Sequence, residues 1–294
     1  MTVGITANTF EEKPYLTVAE YKNAPTSIDY NNLVVGGNQT AQDSELANVI
    51  LRASSFMNEY LNQSLVAQQY TETQRVRVNG QGYLPVHPNN DPIISLSSFQ
   101  YGTDPNNLQT LPNPSLVWFE DQQLIIPLSQ INTTYTSQGP LAFGGYGPRQ
   151  PLFCKYTYIA GFVNTTIASA TAGSSTLTVT DATGIVAGQQ LRIYDLGKNE
   201  QVTVDASYTY GSLTVPLTAP LSHTHAAGTA IGNLPTALKE ACILITTAFI
   251  KVRGDASMTM AMTTAPTTNI GNATRYSGEI ALALDMVNKY RRIR

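Results

Sequence analysis

The amino-acid sequence predicts an α+β protein with a helical bundle core, a small β element and an inserted all-β lobe. Two segments, 43–62 and 235–253, place apolar residues at helical spacing and predict long amphipathic helices. Residues 69–78 alternate with period two, which is typical of a strand. Residues 164–233 are rich in Thr, Ala and Gly and contain a weak internal repeat, which indicates a separate β lobe.

The domain organisation follows from these segments. A chain of 294 residues is long enough for one large domain or two ordinary ones. We expect residues 1–163 and 234–294 to form one core domain. Residues 164–233 are expected to be inserted into it as a small β domain.

The first helix is predicted to be short and to begin at a capping box. Thr17 lies three residues before Glu20, so each side chain can bond the backbone amide of the other residue. Pro25 ends this helix, because the residue before a proline disfavours helical geometry. The second helix is predicted over 43–62, with Thr40 and Asp43 as its cap.

Several strands are predicted after the second helix. In the strand at 69–78, alternate side chains from Tyr70 onwards share one face. A hairpin is predicted over 117–126 and a further strand over 153–162. Residues 129–151 are polar and rich in glycine, so we expect a surface loop or arm there.

The repeat in the β lobe matches residues 175–179 with residues 211–215, 36 positions later. Each copy is interpreted as a strand, a turn and a second strand. Two copies are too few for a solenoid, so the expected architecture is a small barrel or sandwich.

Two more helices are predicted in the last third of the chain. Pro235 is expected to be the first residue of one helix, and Gly254 can terminate it. The final helix is predicted from Glu279 to about Arg291. Its apolar residues are expected to be buried: Ile280, Leu282, Leu284, Met286 and Val287.

Charge is scarce in this chain. Lys and Arg number 17 and Asp and Glu number 20, and together they make up 13% of the residues. This composition excludes a basic nucleic-acid coat, because a net charge of −3 cannot neutralise a phosphate backbone. A hydrophobic content of 42% excludes a disordered chain driven by charge.

The apolar runs of the sequence predict whether the cysteines are buried and whether a helix can cross a membrane. Cys154 and Cys242 each lie in such a run, so we expect buried free thiols. The longest helix-like apolar stretch, 241–252, is too short to cross a bilayer, and no membrane partner is expected.

Candidate catalytic residues are few. His223 and His225 would share one face of a strand, as in some metal sites, but no Cys, Asp or Glu lies close by in sequence. We interpret them as part of a polar loop and His87 as a surface residue. The sequence has no nucleophile elbow, phosphate loop or dinucleotide motif, so no enzyme, metal or cofactor is expected.

The end of the sequence is strongly basic. Four of the last six residues are cationic: Lys289, Arg291, Arg292 and Arg294. One interpretation is a solvated helix end. The other is a contact with an acidic protein ring or with DNA that passes nearby.

Seven segments follow one another in a recognisable order, from a Leu-Thr-x-x-Glu-Tyr helix to a final Tyr-Arg-Arg. They are residues 16–21, 46–61, 75–80, 91–96, 156–162, 234–241 and 290–292. This order resembles the head-tail connector (adaptor) proteins of tailed bacteriophages. The family core is a helical bundle with a small β element, and the β lobe and the 129–151 arm are additions to it.

The resemblance implies a structural protein of the virion neck, made in the host cytoplasm. Such adaptors form a ring, typically of twelve subunits, that docks on the portal protein. The ring extends the channel through which DNA passes without sequence-specific binding, and it presents a surface to a stopper or tail-completion protein.

The resemblance also implies roles for particular residues. The end of the last helix would face the portal or the channel, through Lys289, Tyr290, Arg291, Arg292 and Arg294. The arm would face neighbouring subunits or the tail, through Phe143, Tyr146 and Arg149.

Two alternative functions rest on the β lobe. Tyr208, Tyr210 and His225 would form a sugar-binding platform in a tail-tip or baseplate module that recognises host glycans. A hydrolase that uses His223 or His225 is the other alternative.

Overall fold

The computed structural model describes residues 12–79, 83–111, 113–120, 122–127, 151–252 and 278–292. The described residues divide into two compact units. Unit 1 is built on Ala67–Gly161, and unit 2 combines Phe10–Val66 with Phe162–Arg294. Helices and antiparallel sheets are both present, so the α+β class is confirmed. The partition at residues 163 and 233 stays a prediction.

The described part of unit 1 is a β structure of two antiparallel sheets. Its strands are β1 (Gln68–Arg77), β2 (Tyr83–Val86), β3 (Ile93–Asp104), β4 (Asn107–Thr110), β5 (Trp118–Glu120), β6 (Gln123–Pro127) and β7 (Pro151–Ala160). One sheet has the order β1-β7-β3-β4 and the other has the order β2-β6-β5. The predicted hairpin is confirmed as the antiparallel pair β5 and β6.

The apolar faces of these strands share one core. Burial alternates along β1 from Gln68 to Glu72, as the period-two pattern predicts. Inward-facing residues come from both sheets: Tyr70, Leu84, Val86, Phe99, Leu124, Ile126, Leu152, Cys154, Tyr156 and Tyr158. Burying this apolar surface is the main favourable term in the stability of the unit.

A carboxylate lies inside unit 1, and no cation among the described residues forms an ion pair with it. Glu72 is 7% exposed, and it accepts hydrogen bonds from the hydroxyls of Tyr156 at 2.9 Å and Tyr158 at 2.5 Å. The backbone amide and side chain of Asn89 also donate to it. The same Tyr158 hydroxyl accepts from the amide of Asn90 at 3.1 Å. This network fixes the loop after β2 on the sheet.

Removal of the Glu72 carboxylate is expected to destabilise unit 1. In Glu72→Ala two buried tyrosine hydroxyls lose their acceptor, which costs about 3 kcal/mol of unfolding free energy. Thr73→Ala, at the next and exposed position of β1, is the control and is expected to change it by less than about 0.5 kcal/mol. Urea unfolding measures both, and equal stabilities would contradict the assigned role.

The N-terminal helices of unit 2 are α1 (Val18–Asn23) and α2 (Gln39–Leu61). The predicted capping box is confirmed, because the Thr17 and Glu20 side chains each bond the other backbone amide. The predicted cap of α2 is wrong. Asn38 caps it by accepting from the amide of Ala41, so the helix begins four residues before Asp43.

The C-terminal helices of unit 2 are α3 (Thr236–Val252) and α4 (Gly278–Val287). The helix α3 begins one residue later than predicted, and the Pro235 carbonyl accepts from the amide of Leu238. A 3-10 turn, Asn288–Tyr290, follows α4. The prediction that Leu282 is buried is wrong, because it is 54% exposed on the outer side of α4.

Six strands of unit 2 form a single antiparallel sheet in the β lobe. They are β8 (Asn164–Ser169), β9 (Thr176–Val179), β10 (Gln190–Tyr194), β11 (Glu200–Thr203), β12 (Thr214–Pro216) and β13 (Ala230–Gly232), in the order β11-β10-β13-β8-β9-β12. A bridge between Val204 and Leu217 joins the ends of the two edge strands. The sheet therefore curls around its own apolar core into a barrel-like lobe.

The internal repeat is present, but its spacing is 38 residues and not 36. The Ser174 hydroxyl accepts from the amide of Thr176, and the Ser212 hydroxyl accepts from the amide of Thr214 in the same way. Leu177 and Val215 are equivalent positions at this spacing, and both are buried. The two copies pair with each other, as β9 and β12.

Lys239 of α3 joins the helices to the β lobe. Its ammonium is buried and donates to the Glu20 carboxylate at 2.5 Å and to the Asn164 side chain at 3.3 Å. It also lies 4.0 Å from the centre of the Tyr194 ring. Burial lowers the pKa of Lys239, and the Glu20 carboxylate opposes that shift.

Loss of one partner of this ion pair is expected to be costlier than loss of both. Lys239→Met leaves the Glu20 carboxylate without its cation and lowers the unfolding free energy by about 3 kcal/mol. Glu20→Gln removes the charge and keeps a residue that supports the capping box. The double variant Lys239→Met/Glu20→Gln should therefore be more stable than Lys239→Met alone.

A double-mutant cycle by chemical denaturation measures this coupling. Strictly additive effects of the two substitutions would show that the pair does not act as a unit.

The cysteine prediction is confirmed, because Cys154 and Cys242 are both buried and free. Burial raises the pKa of Cys154 to about 12 and that of Cys242 to about 11. Among the described residues, no helix has the length and apolarity needed to cross a membrane.

Candidate functional site

The predicted basic site lies on an ordered stretch of backbone at the end of α4. We define the C-terminal basic segment as residues 289–292. The amide of Arg292 donates to the Leu61 carbonyl at 3.0 Å, and the Asn62 side chain donates to the Arg292 carbonyl at 3.0 Å. The Gln63 side chain donates to the Tyr290 carbonyl at 2.9 Å. These bonds hold the segment against the C-terminal end of α2.

The conformation at the end of α2 makes this attachment possible. Asn62 adopts a left-handed conformation with φ 57°, which ends the helix and turns its side chain towards the segment. The Tyr60 hydroxyl also donates to the Asn288 side chain at 3.1 Å. The sequence pattern gave no signal for this contact, since more than 200 residues separate the partners.

Two exposed cations of the segment are held by aromatic rings. The guanidinium of Arg291 lies 4.9 Å from the centre of the Tyr60 ring, and the ammonium of Lys289 lies 4.8 Å from that of Tyr290. Neither cation forms an ion pair with any carboxylate in the described part of the chain. Their charges are therefore available to an external anionic group.

The other predicted site residues differ in position. Tyr290 is half-buried and packs edge-on against Phe162, with ring centres 6.3 Å apart, so its ring anchors the segment. Arg292 is half-buried. Arg294 lies outside the described residues, as do the arm residues Phe143, Tyr146 and Arg149.

His225 is not in an open polar loop. Its side chain is fully buried, with Nδ1 2.9 Å from an Asp195 oxygen and Nε2 2.6 Å from a Glu200 oxygen. Both ring nitrogens of His225 are therefore within hydrogen-bond distance of a carboxylate oxygen. The sequence analysis missed this cluster because Asp195 and Glu200 precede His225 by 30 and 25 residues. His87 is exposed, as predicted.

The buried cluster makes His225 unavailable to either alternative function of the β lobe. Both ring nitrogens of His225 are occupied, so neither is available as a base or nucleophile. Tyr208 is also buried and donates to the Ser212 carbonyl at 2.9 Å. Of the three residues expected to form the sugar-binding platform, only Tyr210 is exposed, at 50%.

Glu200 binds the 221–225 loop as well as His225. Partial burial raises the pKa of Glu200, but the amide of Ser222, the His225 ring and the amide of His223 donate to it and outweigh that effect. Its pKa therefore lies below the ordinary value. A carboxyl with a depressed folded-state pKa stabilises the fold above its unfolded pKa and loses this contribution as pH falls.

The β lobe is expected to become less stable in acid because of Glu200. In the wild-type protein the unfolding free energy should fall as pH decreases below about 4.5. Glu200→Gln should be less stable at pH 7 and show a shallower acid dependence, since it has no carboxyl to titrate. Glu240→Gln, an exposed carboxylate on α3, is the control. Denaturant unfolding at several pH values measures this, and parallel curves would contradict it.

Comparison with known proteins finds a solved structure of low sequence identity. No family model matches this sequence, and no curated protein matches it significantly. A chain in the solved neck of an empty GTA (gene transfer agent) particle, computed with C6 symmetry, is similar at 11% identity. The similarity covers 96% of this chain and 95% of that one, with a TM-score of 0.38. Values this low do not establish a shared fold.

Proposed function

We propose that this chain is a structural protein of the phage neck, a ring-forming adaptor that joins the head to the tail. It docks on the portal protein, extends the DNA channel and presents an attachment surface to stopper or tail-completion proteins. The ring contains about twelve subunits, by resemblance to the adaptor family. The protein carries out no catalysis in this role.

The observation that carries the proposal is the ordered, exposed C-terminal basic segment. Lys289 and Arg291 lie over aromatic rings, and the backbone of the adjacent residues Tyr290 and Arg292 is bonded to the end of α2 and the two residues after it. A cationic surface held in place in this way loses little conformational entropy when it binds an acidic protein surface. The predicted portal contact requires such a surface.

The segments that carry the family resemblance support the same proposal. Residues 16–21, 46–61 and 234–241 fall on α1, α2 and the start of α3, and these helices pack together in one apolar cluster. Residues 290–292 follow α4 and bond to the end of α2. These four of the seven segments therefore lie in elements of unit 2 that contact one another.

Exposed aromatic residues in unit 1 support self-assembly. Strand β5 is an edge strand of its sheet, and it exposes Trp118 at 38% and Phe119 at 46%. Leu116, just before the strand, is 45% exposed. Aromatic side chains are enriched at protein interfaces, and an unpaired edge strand favours association.

Disruption of the gene in the phage that encodes this chain tests the proposal directly. Negative-stain electron microscopy of the lysate should show filled heads and complete tails that are not joined. Joined particles that fail to adsorb would move the protein to the tail tip and overturn the neck assignment.

Charge reversal in the C-terminal basic segment is expected to abolish portal attachment. Deletion of residues 290–294 is a poorer test, because it also removes the Tyr290 anchor on Phe162. Lys289→Glu/Arg291→Glu changes the charges and keeps the backbone bonds. The variant should fold normally, fail to co-sediment with portal rings and leave separated heads and tails when it complements the disrupted gene.

The matched control for this test reverses two exposed cations elsewhere in unit 2, as Arg52→Glu/Arg192→Glu. The net charge change is the same, so a general effect of acidity would appear in both variants. Normal docking of the Lys289→Glu/Arg291→Glu variant would rule out this segment as the portal contact.

A further inference from the structure

The solvent-facing side of the four-stranded sheet in unit 1 carries a second group of cations. Arg75 and Arg77 are exposed on β1, and Lys155 is exposed on the neighbouring strand β7. Thr73 pairs with Lys155 and Arg75 pairs with Phe153, so these side chains share one face. We define the cationic face as Arg75, Arg77 and Lys155.

Polar, uncharged side chains surround these cations. Thr71 and Thr157 are paired on the same face, with their hydroxyls 2.9 Å apart. Gln100 of β3 lies beside Lys155. In the described part of the chain, none of the three cations forms an ion pair. The face therefore presents positive charge and hydrogen-bond donors without internal neutralisation.

The side chains are arranged in a row. Alternate residues of β1 lie about 7 Å apart, so Thr71, Thr73, Arg75 and Arg77 follow one another along the strand. The guanidinium of Arg75 lies 5.2 Å from the centre of the Phe153 ring, which supports it from below. A shallow groove beside this row is lined by Arg75, Arg77 and His87.

We propose that the cationic face contacts the phosphate backbone of double-stranded DNA. Phosphates are bound mainly by Arg and Lys together with Ser, Thr and Gln donors, which is the composition of this face. The centres of protein interfaces are enriched in exposed aromatic side chains, whereas here the aromatic ring of Phe153 lies under Arg75 and the cations face outwards. The proposed contact does not depend on the base sequence of the DNA.

This inference depends on the proposed function in one respect only, which is the origin of the DNA that the cationic face would meet. Binding to DNA is a property of the purified full-length chain and is measured apart from particle assembly. With three phosphate contacts, the slope of log K against log salt is expected to be about −2.7.

The test compares two triple variants in fluorescence anisotropy with a labelled duplex of about 20 base pairs at about 50 mM salt. Arg75→Gln/Arg77→Gln/Lys155→Gln should weaken binding at least about tenfold and make the salt slope shallower by about 2.7. Arg52→Gln/Arg192→Gln/Lys198→Gln removes the same charge from unit 2 and should bind like wild type. Unchanged melting temperatures verify that both variants fold.

Two results would overturn the proposal. One is equal loss of binding in both triple variants, which would show that net charge and not this face attracts DNA. The other is tighter binding of polyglutamate than of duplex DNA, which would identify an acidic protein as the partner. The DNA-binding test can fail while the gene disruption still gives separated heads and tails. In that case the cationic face is not a DNA contact, and the proposed neck function is still supported.

Discussion

The buried ammonium of Lys239 is the interaction on which the arrangement of unit 2 depends. It reaches α1 through Glu20, β8 through Asn164 and β10 through the ring of Tyr194. A buried cation is costly to desolvate, so the fold tolerates it only where these partners are all in place. The capping box adds to this, because the second oxygen of Glu20 accepts from the amide of Thr17. One side chain therefore couples the start of α1 to the position of the β lobe.

The same use of charge recurs elsewhere in this chain. Glu72 organises the loop after β2 through tyrosine hydroxyls, and His225 joins Asp195 to Glu200 inside the β lobe. Charged residues make up 13% of the sequence, yet two of them, Glu72 and Lys239, are buried in the described part of the chain. Each buried group has directional hydrogen bonds, which specify one arrangement where apolar packing alone accepts several. The surface that remains is polar and weakly charged, which is compatible with the ring assembly proposed above.

Sequence reasoning succeeded where the physical signal is local. The Thr17 and Glu20 box, the alternation of β1 and the existence of the long helices depend on neighbours within a few residues. It failed where the partner is distant. The carboxylates of Asp195 and Glu200 meet His225 only after the sheet has curled, and no spacing rule connects them. The internal repeat was detected with the wrong spacing. The prediction aligned identical residue types, whereas the structure aligns positions that are buried and bonded in the same way.

The exposed cations explain how a chain with a net charge of −3 can still engage anionic partners. Lys289 and Arg291 on the C-terminal basic segment lie close together, as do the three cations of the cationic face, and these five have no carboxylate partner among the described residues. A few contacts per subunit give weak binding that salt screens readily. A ring repeats them, so a fixed partner that engages many subunits at once is held by avidity. DNA that moves through the ring exchanges its contacts one by one and is not held. In the proposed adaptor, low charge density is therefore what permits firm attachment to the portal together with passage of DNA.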